Sequence, residues 1–424
     1  MTDSISAWID RNFPGAIERL KAFLRIPSVG TDPAYAEDTR RCAAWLAAQL
    51  REIGLDAQVR PTGGMPMVVG NWDGAGPKAP TILYYGHYDV QPADPFELWD
   101  SPPFDPVVVE GPRGPRIVAR GAVDDKGQVM TWVEALRAWM AVEGRLPVNV
   151  KVLVEGEEEA ASTSFVPFLE ANREELRADA CVVSDTGMLA VDRPAITYML
   201  RGLVYAEIRL TGPSRDLHSG MYGGAVPNPL NVLVSILAEL HDRDGRVTLP
   251  GFYDRVLEVT PEELRAWAEA GFDEAGFLAE VGLTGSVGEA GRSLLERIWA
   301  RPTCDVNGLW GGYAGEGSKT VIPAKAGAKL SCRLVPDQDP DEVMAALERF
   351  VRERLSADMK LEFLDHGRGR PVRVATDSPW LRAARRGIED AFGRPPVLIG
   401  CGGSIPISAP LREILGLDVL FVGF

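Results

Sequence analysis

The sequence predicts an α/β fold on a mixed, mainly parallel sheet, with a second, α+β domain of split-βαβ (ferredoxin-like) order inserted into it. Three observations predict this. The first part of the chain alternates continuous apolar runs with helical patterns, as expected of strands covered on both faces by crossover helices. From about residue 195 the apolar residues alternate strictly with polar ones, as in strands with one exposed face. After Pro379 the earlier pattern resumes. At 424 residues the chain also exceeds what one hydrophobic core usually serves. The expected boundaries are 1–195 with 378–424 for the larger domain and 196–377 for the inserted one.

The elements follow in order. Residues 37–53 place Cys42, Trp45, Leu46, Leu50 and Ile53 at near-helical spacing, an amphipathic helix. Thr81 to Tyr85 is a continuous apolar run and reads as a buried strand. Val129, Trp132, Val133, Leu136 and Met140 mark a helix beginning near Asp125. Val148, Val150, Val152 and Val154 mark a strand, and Cys181 to Val183 a short one. In the inserted domain Val204, Ala206, Ile208 and Leu210 alternate with Tyr205, Glu207 and Arg209. Leu230, Leu233, Leu237 and Leu240 then follow at helical spacing. Residues 245–300 read as a mainly helical insertion. Ala328, Leu330, Cys332 and Leu334 alternate again, before a helix over 340–354 and a strand near 359–364. A helix over 380–391, a strand over 396–399, a Gly-rich loop and a last strand over 419–422 return to the larger domain.

Composition narrows the function classes. A net charge of -15 argues against nucleic acid or an anionic membrane as partner. The five cysteines lack CxxC spacing, which speaks against a disulfide framework and a thiolate zinc site and fits reduced thiols. No apolar leader segment and no stretch of membrane-span length is visible. The expectation is a soluble cytoplasmic protein.

The chemistry-bearing residues stand just past the strand-like runs: His87 and Asp89, then Asp124, Glu157 to Glu159, and Asp185. Singly each is weak, because a lone His-x-Asp or an acidic run is ordinarily surface chemistry. Their order carries the argument. Ligands of an open α/β sheet lie beyond the carboxyl ends of its strands. Imidazole and carboxylates delivered there in series suit a pair of hydrolytic divalent ions, which polarise a carbonyl and lower the pKa of a water towards ~7. The donor mix suits zinc.

Gly86-His87-Tyr88-Asp89-Val90-Gln91-Pro92, Arg120-Gly121-Ala122-Val123-Asp124-Asp125-Lys126-Gly127 and Glu155-Gly156-Glu157-Glu158-Glu159 resemble the carnosinase-type dipeptidases of the cocatalytic-zinc metallopeptidase family. That family also holds aminoacylases, glutamate carboxypeptidases and succinyl-diaminopimelate desuccinylases. Asp216 to Gly220, Lys319 to Pro323, Arg333 to Pro336 and Gly402 to Pro406 resemble further motifs of it. The resemblance implies a larger catalytic domain and an inserted lid and dimerisation domain. It implies two divalent ions per subunit, zinc first, with manganese or cobalt as alternatives. His87 and Asp185 would hold one ion, Asp124 would bridge with the peptide bond after it cis, and Glu159 would hold the second. Glu158 would be the general base, with Glu157 the alternative register, and Asp89 would orient the His87 imidazole.

On the substrate side the resemblance assigns oxyanion stabilisation to His218, reaching into a partner subunit's site. Arg333, Gly403 and Ser404 would take a substrate carboxylate, and Asn307 and Thr320 would lie near the substrate. It also implies a histidine shortly after the strand ending near Gly423 as a further ligand of the Glu159 ion. The sequence ends at Phe424, so the second site is expected to be weakened. The expected activity is hydrolysis of the amide of a dipeptide or small peptide with a free carboxylate. The rivals are an N-acyl-amino-acid deacylase and a catalytically impaired dimeric protein.

Overall fold

A computed structural model describes residues 2–111 and 114–424 and divides the chain into two compact units. The first runs to Thr197 and includes Val374–Pro396 and Pro406–Phe424; the second comprises Tyr198–Arg373 and Val397–Ile405.

The first unit is built on a mixed sheet. Its strands lie in the order Asp56–Arg60, Met67–Trp72, Asn149–Glu155, Thr81–His87, Ala180–Val183, Asp418–Phe421 and Ala195–Leu200. The middle four, from Asn149–Glu155 to Asp418–Phe421, run parallel, and the flanking strands join antiparallel. Thr81–His87 lies in the middle of the parallel strands and is buried from Leu83 onward. Leu46 and Leu50 of the helix Ala36–Glu52 and Val129, Val133 and Leu136 of the helix Lys126–Glu143 pack with Tyr84, Val150, Val152 and Val154. Each such side chain contributes about 1.5–3 kcal/mol by leaving water. The second helix stops at Gly144, whose left-handed φ of 66° lets its N–H close on the carbonyl of Met140.

The second unit holds a four-stranded antiparallel sheet in the order Thr303–Gly311, Lys325–Leu334, Gly202–Thr211, Lys360–Gly369. With the helices Pro229–Ala238 and Pro340–Arg352, this is the split-βαβ arrangement. The alternation in Gly202–Thr211 puts Val204, Ala206, Ile208 and Leu210 into a core with Leu233, Ile236, Leu347 and Phe350. One reading needs correction. The insertion over 245–300 is helical only at Pro261–Glu269, Glu274–Glu280 and the π-turn Glu296–Ala300, because Gly282, Gly288 and Gly291 break it at positive φ. The strand Val397–Cys401 pairs with Ala195–Leu200 of the mixed sheet, as expected, and residues 397–405 fall in the second compact unit. Trp267 donates its indole N–H to Leu398 O at 3.1 Å, and Arg201 N donates to Cys401 O at 3.2 Å. Among the described residues no helix is long and apolar enough to cross a membrane.

Candidate metal centre

Parallel pairing brings the carboxyl ends of four strands to one edge of the first unit's sheet. His87 ends the central strand Thr81–His87, Glu157 to Glu159 follow Asn149–Glu155 on one side, and Asp185 follows Ala180–Val183 on the other. Asp124 arrives from the turn before the helix Lys126–Glu143, and its peptide bond to Asp125 is cis. That turn is tightly packed: a Cβ on Gly127 would stand 2.0 Å from Ala122 O, so only glycine fits. Buried Lys126 anchors it further, giving its ammonium to the carbonyls of Phe23 at 3.1 Å and Ile26 at 2.6 Å.

His87, Asp124 and Asp185 each bring one ligand atom to within 4.8 Å of the others. The imidazole is fully buried and held from behind, with Nδ1 3.1 Å from Asp89 O and 3.4 Å from its Oδ1. Nε2 points the other way. It lies 3.1 Å from Asp124 Oδ1 without making a hydrogen bond, an orphaned nitrogen inside the protein. A buried ring nitrogen beside two carboxylates fits a divalent cation, and the nitrogen–oxygen donor set fits zinc.

The glutamate turn is organised by Asp89, whose Oδ1 and Oδ2 accept the N–H groups of Glu158 at 3.2 Å and Glu159 at 3.0 Å. Asp89 therefore positions this turn as well as the imidazole. Glu157 is occupied elsewhere, its two oxygens accepting Met65 N at 3.0 Å and Ser164 N at 3.1 Å. Glu159 stands outside the three-residue group and accepts Gln91 Nε2 at 2.6 Å.

Electrostatically the edge is short of positive charge. Burial pushes the Glu158 carboxyl up to about 8, with the neighbouring Asp185, Glu159 and Asp89 charges adding to it and His87 opposing. Burial also raises Asp185. Burial pulls the His87 imidazole down, but the carboxylates of Asp124 and Asp89 outweigh it and hold it well above its usual value. Among the described residues no lysine or arginine forms an ion pair with Asp124, Glu158, Glu159 or Asp185.

Two positioning residues were not singled out from sequence. Gln128 donates to Thr186 O at 2.7 Å and accepts Phe424 N at 3.0 Å, while Trp132 Nε1 donates to Ser184 Oγ at 2.7 Å. One helix thereby holds the turn that carries Asp185. The available signal was their helical spacing after Lys126 on the same face.

In the second unit His218 is exposed on the short strand Leu217–His218; its Nδ1 accepts Gly220 N at 3.0 Å, and its Nε2 lies 3.4 Å from Thr320 Oγ1. Arg333 Nη1 donates to Ser404 Oγ at 3.0 Å, and Gly403 N reaches Cys401 Sγ at 3.4 Å. Asn307 sits at a bulge of the edge strand Thr303–Gly311 and shares a cavity wall with Arg333.

Comparison with known proteins adds to this geometry. The profile of peptidase family M20/M25/M40 matches residues 83–424. The Cys-Gly metallodipeptidase dug1 of Schizosaccharomyces pombe is 32% identical, over 99% of this chain and 90% of that one. The crystal structure of human carnosine dipeptidase 1 superposes with a TM-score of 0.85 at 29% identity, covering 99% of this chain and 91% of that one. The M20 family metallo-carboxypeptidase Sso-CP2 from Sulfolobus solfataricus gives 0.84 at 33% identity, with 96% and 92% covered.

Proposed function

Because this chain belongs to peptidase family M20/M25/M40, we propose that it is a metal-dependent dipeptidase, hydrolysing the amide bond of a dipeptide or small peptide with a free carboxylate. The observation that carries the reading is the buried, unpartnered Nε2 of His87 grouped with Asp124 and Asp185. These residues would hold a divalent cation, with Asp124 shared with a second one on Glu159; zinc is the metal we assign. Bound there, such ions polarise the scissile carbonyl and make a water acidic enough to attack at neutral pH.

The chain's own groups do the rest. Glu158, held by its N–H on Asp89, takes the proton of the attacking water and passes it to the leaving amine. Arg333 with Ser404 takes the substrate's carboxylate as a charge-assisted pair, with Gly403, Asn307 and Thr320 beside the substrate. His218 donates to the oxyanion in the site of a second copy of the chain. A homodimer through the second unit is supported by the exposed Val306, Leu309 and Trp310 of its edge strand and Val234 of the helix Pro229–Ala238.

The test is hydrolysis of Cys-Gly and β-Ala-His against N-acetyl amino acids, by protein stripped with chelator and reloaded with zinc, manganese or cobalt. Dipeptide cleavage should vanish on stripping and return with metal. Cleavage of the N-acetyl substrates alone would replace the reading with a deacylase.

A further inference from the structure

The second unit encloses a cavity of about 600 Å³ whose wall carries Arg201, Arg297, Arg301 and Arg333. Small-molecule sites span about 300–1,000 Å³, so the volume suits a ligand. Against these four arginines the same wall sets two carboxylates, Glu289 and Asp305.

Arg301 shows the neutralised condition. Its Nε and Nη2 meet Glu289 at 2.7 and 2.8 Å, and its Nη1 meets Glu258 at 3.1 Å. The other three form no ion pair among the described residues. Arg297 gives Nε to the carbonyls of Arg292 at 3.0 Å and Ser293 at 3.4 Å. Arg201 gives Nε to Gly402 O at 3.0 Å, and Arg333 gives Nη1 to the Ser404 hydroxyl. A guanidinium has five N–H donors, so these bonds to neutral oxygens orient each group and leave its charge uncompensated. Asp305 shares the wall and Glu289 is already committed, so the local balance remains positive. Burial, reinforced by the Arg333 charge and only partly opposed by Cys401 and the Asp305 carboxylate, pulls the Arg201 guanidinium down to about 10.

One carboxylate uses one clamp, and Arg333 with Ser404 supplies it. Arg201 and Arg297 are surplus to a substrate ending in glycine. We propose that this cavity takes a dianionic residue, with Arg333 and Ser404 on the α-carboxylate and Arg201 and Arg297 on the side-chain carboxylate of a C-terminal aspartate or glutamate. The substrate class is thus a dipeptide ending in an acidic residue, an assignment that rests on the peptidase reading above. Arg201 links the two halves, because its anchor Gly402 lies in the same loop as Ser404.

Glutamate and glutamine differ there in charge and hardly in size, which makes them the probe pair. In the metal-loaded protein, kcat/KM for Ala-Glu should exceed that for Ala-Gln by at least about tenfold, roughly 1.4 kcal/mol of discrimination. That ratio should fall towards one in Arg297→Gln and Arg201→Gln and be partly kept in Arg297→Lys. Calorimetric titration of metal-free protein should show L-glutamate binding at least tenfold tighter than L-glutamine. Selective glutamate binding without cleavage of any dipeptide upholds the cavity and removes the peptidase reading. Efficient but equal cleavage of Ala-Glu and Ala-Gln, with equal binding of the two amino acids, overturns the proposal and leaves the peptidase reading standing. Should a glutamine variant fail to melt cooperatively, the wild-type pair and Arg297→Lys still decide the matter.

Discussion

In the first unit, the sheet edge gathers an imidazole and several carboxylates, and among the described residues no lysine or arginine pairs with Asp124, Glu158, Glu159 or Asp185. In the second, one cavity wall carries four arginines, three of them half-buried and without an ion pair among the described residues. Each region carries an excess of one sign, whereas Arg301 with Glu289 and Arg19 with Glu134 are compensated pairs in the same chain. The excess arises where backbone and neutral side chains hold each group in place: Asp89 O behind His87, and the carbonyls of Arg292 and Gly402 behind Arg297 and Arg201. A charge that is oriented and left uncompensated is available to a ligand of opposite sign. A charge that is compensated holds the fold together.

The largest expected effect tests the acidic edge. Glu158→Gln keeps size and removes the proposed base, so kcat should fall about 10²–10⁴-fold with metal content unchanged. Activity within tenfold of wild type, in protein of normal metal content, would assign the proton transfer elsewhere.

Next comes the paired region of the second unit. Glu289→Gln strips Arg301 and Arg246 of their shared carboxylate and should cost roughly 3–5 kcal/mol in denaturant unfolding. Arg297→Gln loses no ion pair and should change stability by less than about 1 kcal/mol. Equal costs for the two would erase the contrast between compensated and uncompensated arginines.

Asp89→Asn sharpens the picture at the acidic edge, since that carboxylate positions three groups while touching no substrate in our reading. Metal affinity should weaken about 10–100-fold, measured by competition with a chelating indicator. An unchanged affinity would mean that the backbone alone holds His87 and the glutamate turn.

The smallest effect is expected for Gln128→Ala, which frees the turn carrying Asp185. Losing its hydrogen bonds should cost about 1–3 kcal/mol of stability and loosen the metal without abolishing the fold. Hydrogen exchange at Thr186 should accelerate; unaltered protection there would show that Trp132 suffices.

Much of this was legible in the sequence because the signals are local. Apolar runs of strand length ending in His87, before Glu157, and before Asp185 identify strands and the edge at which they end. Strict alternation in 204–210 and 328–334 identifies the one-sided sheet of the second unit. The strands Asp56–Arg60 and Met67–Trp72 carried no comparable pattern, and their place at the sheet margin comes from pairing with Asn149–Glu155.

The sequence by itself determined which residue types reach the strand ends, because period and composition are properties of neighbours along the chain. Only tertiary structure gave three identical glutamates different partners. Glu157 is taken by Met65 and by Ser164, the first of them 92 residues distant, and no local pattern encodes that bond. The arginine cavity is likewise tertiary: Arg201, Arg297 and Arg333 come from segments far apart in sequence and share a wall only after folding. Hydrogen-bond partners and the compensation of charge are set by what packs nearby in space, and that is where this protein's two kinds of unpaired charge were decided.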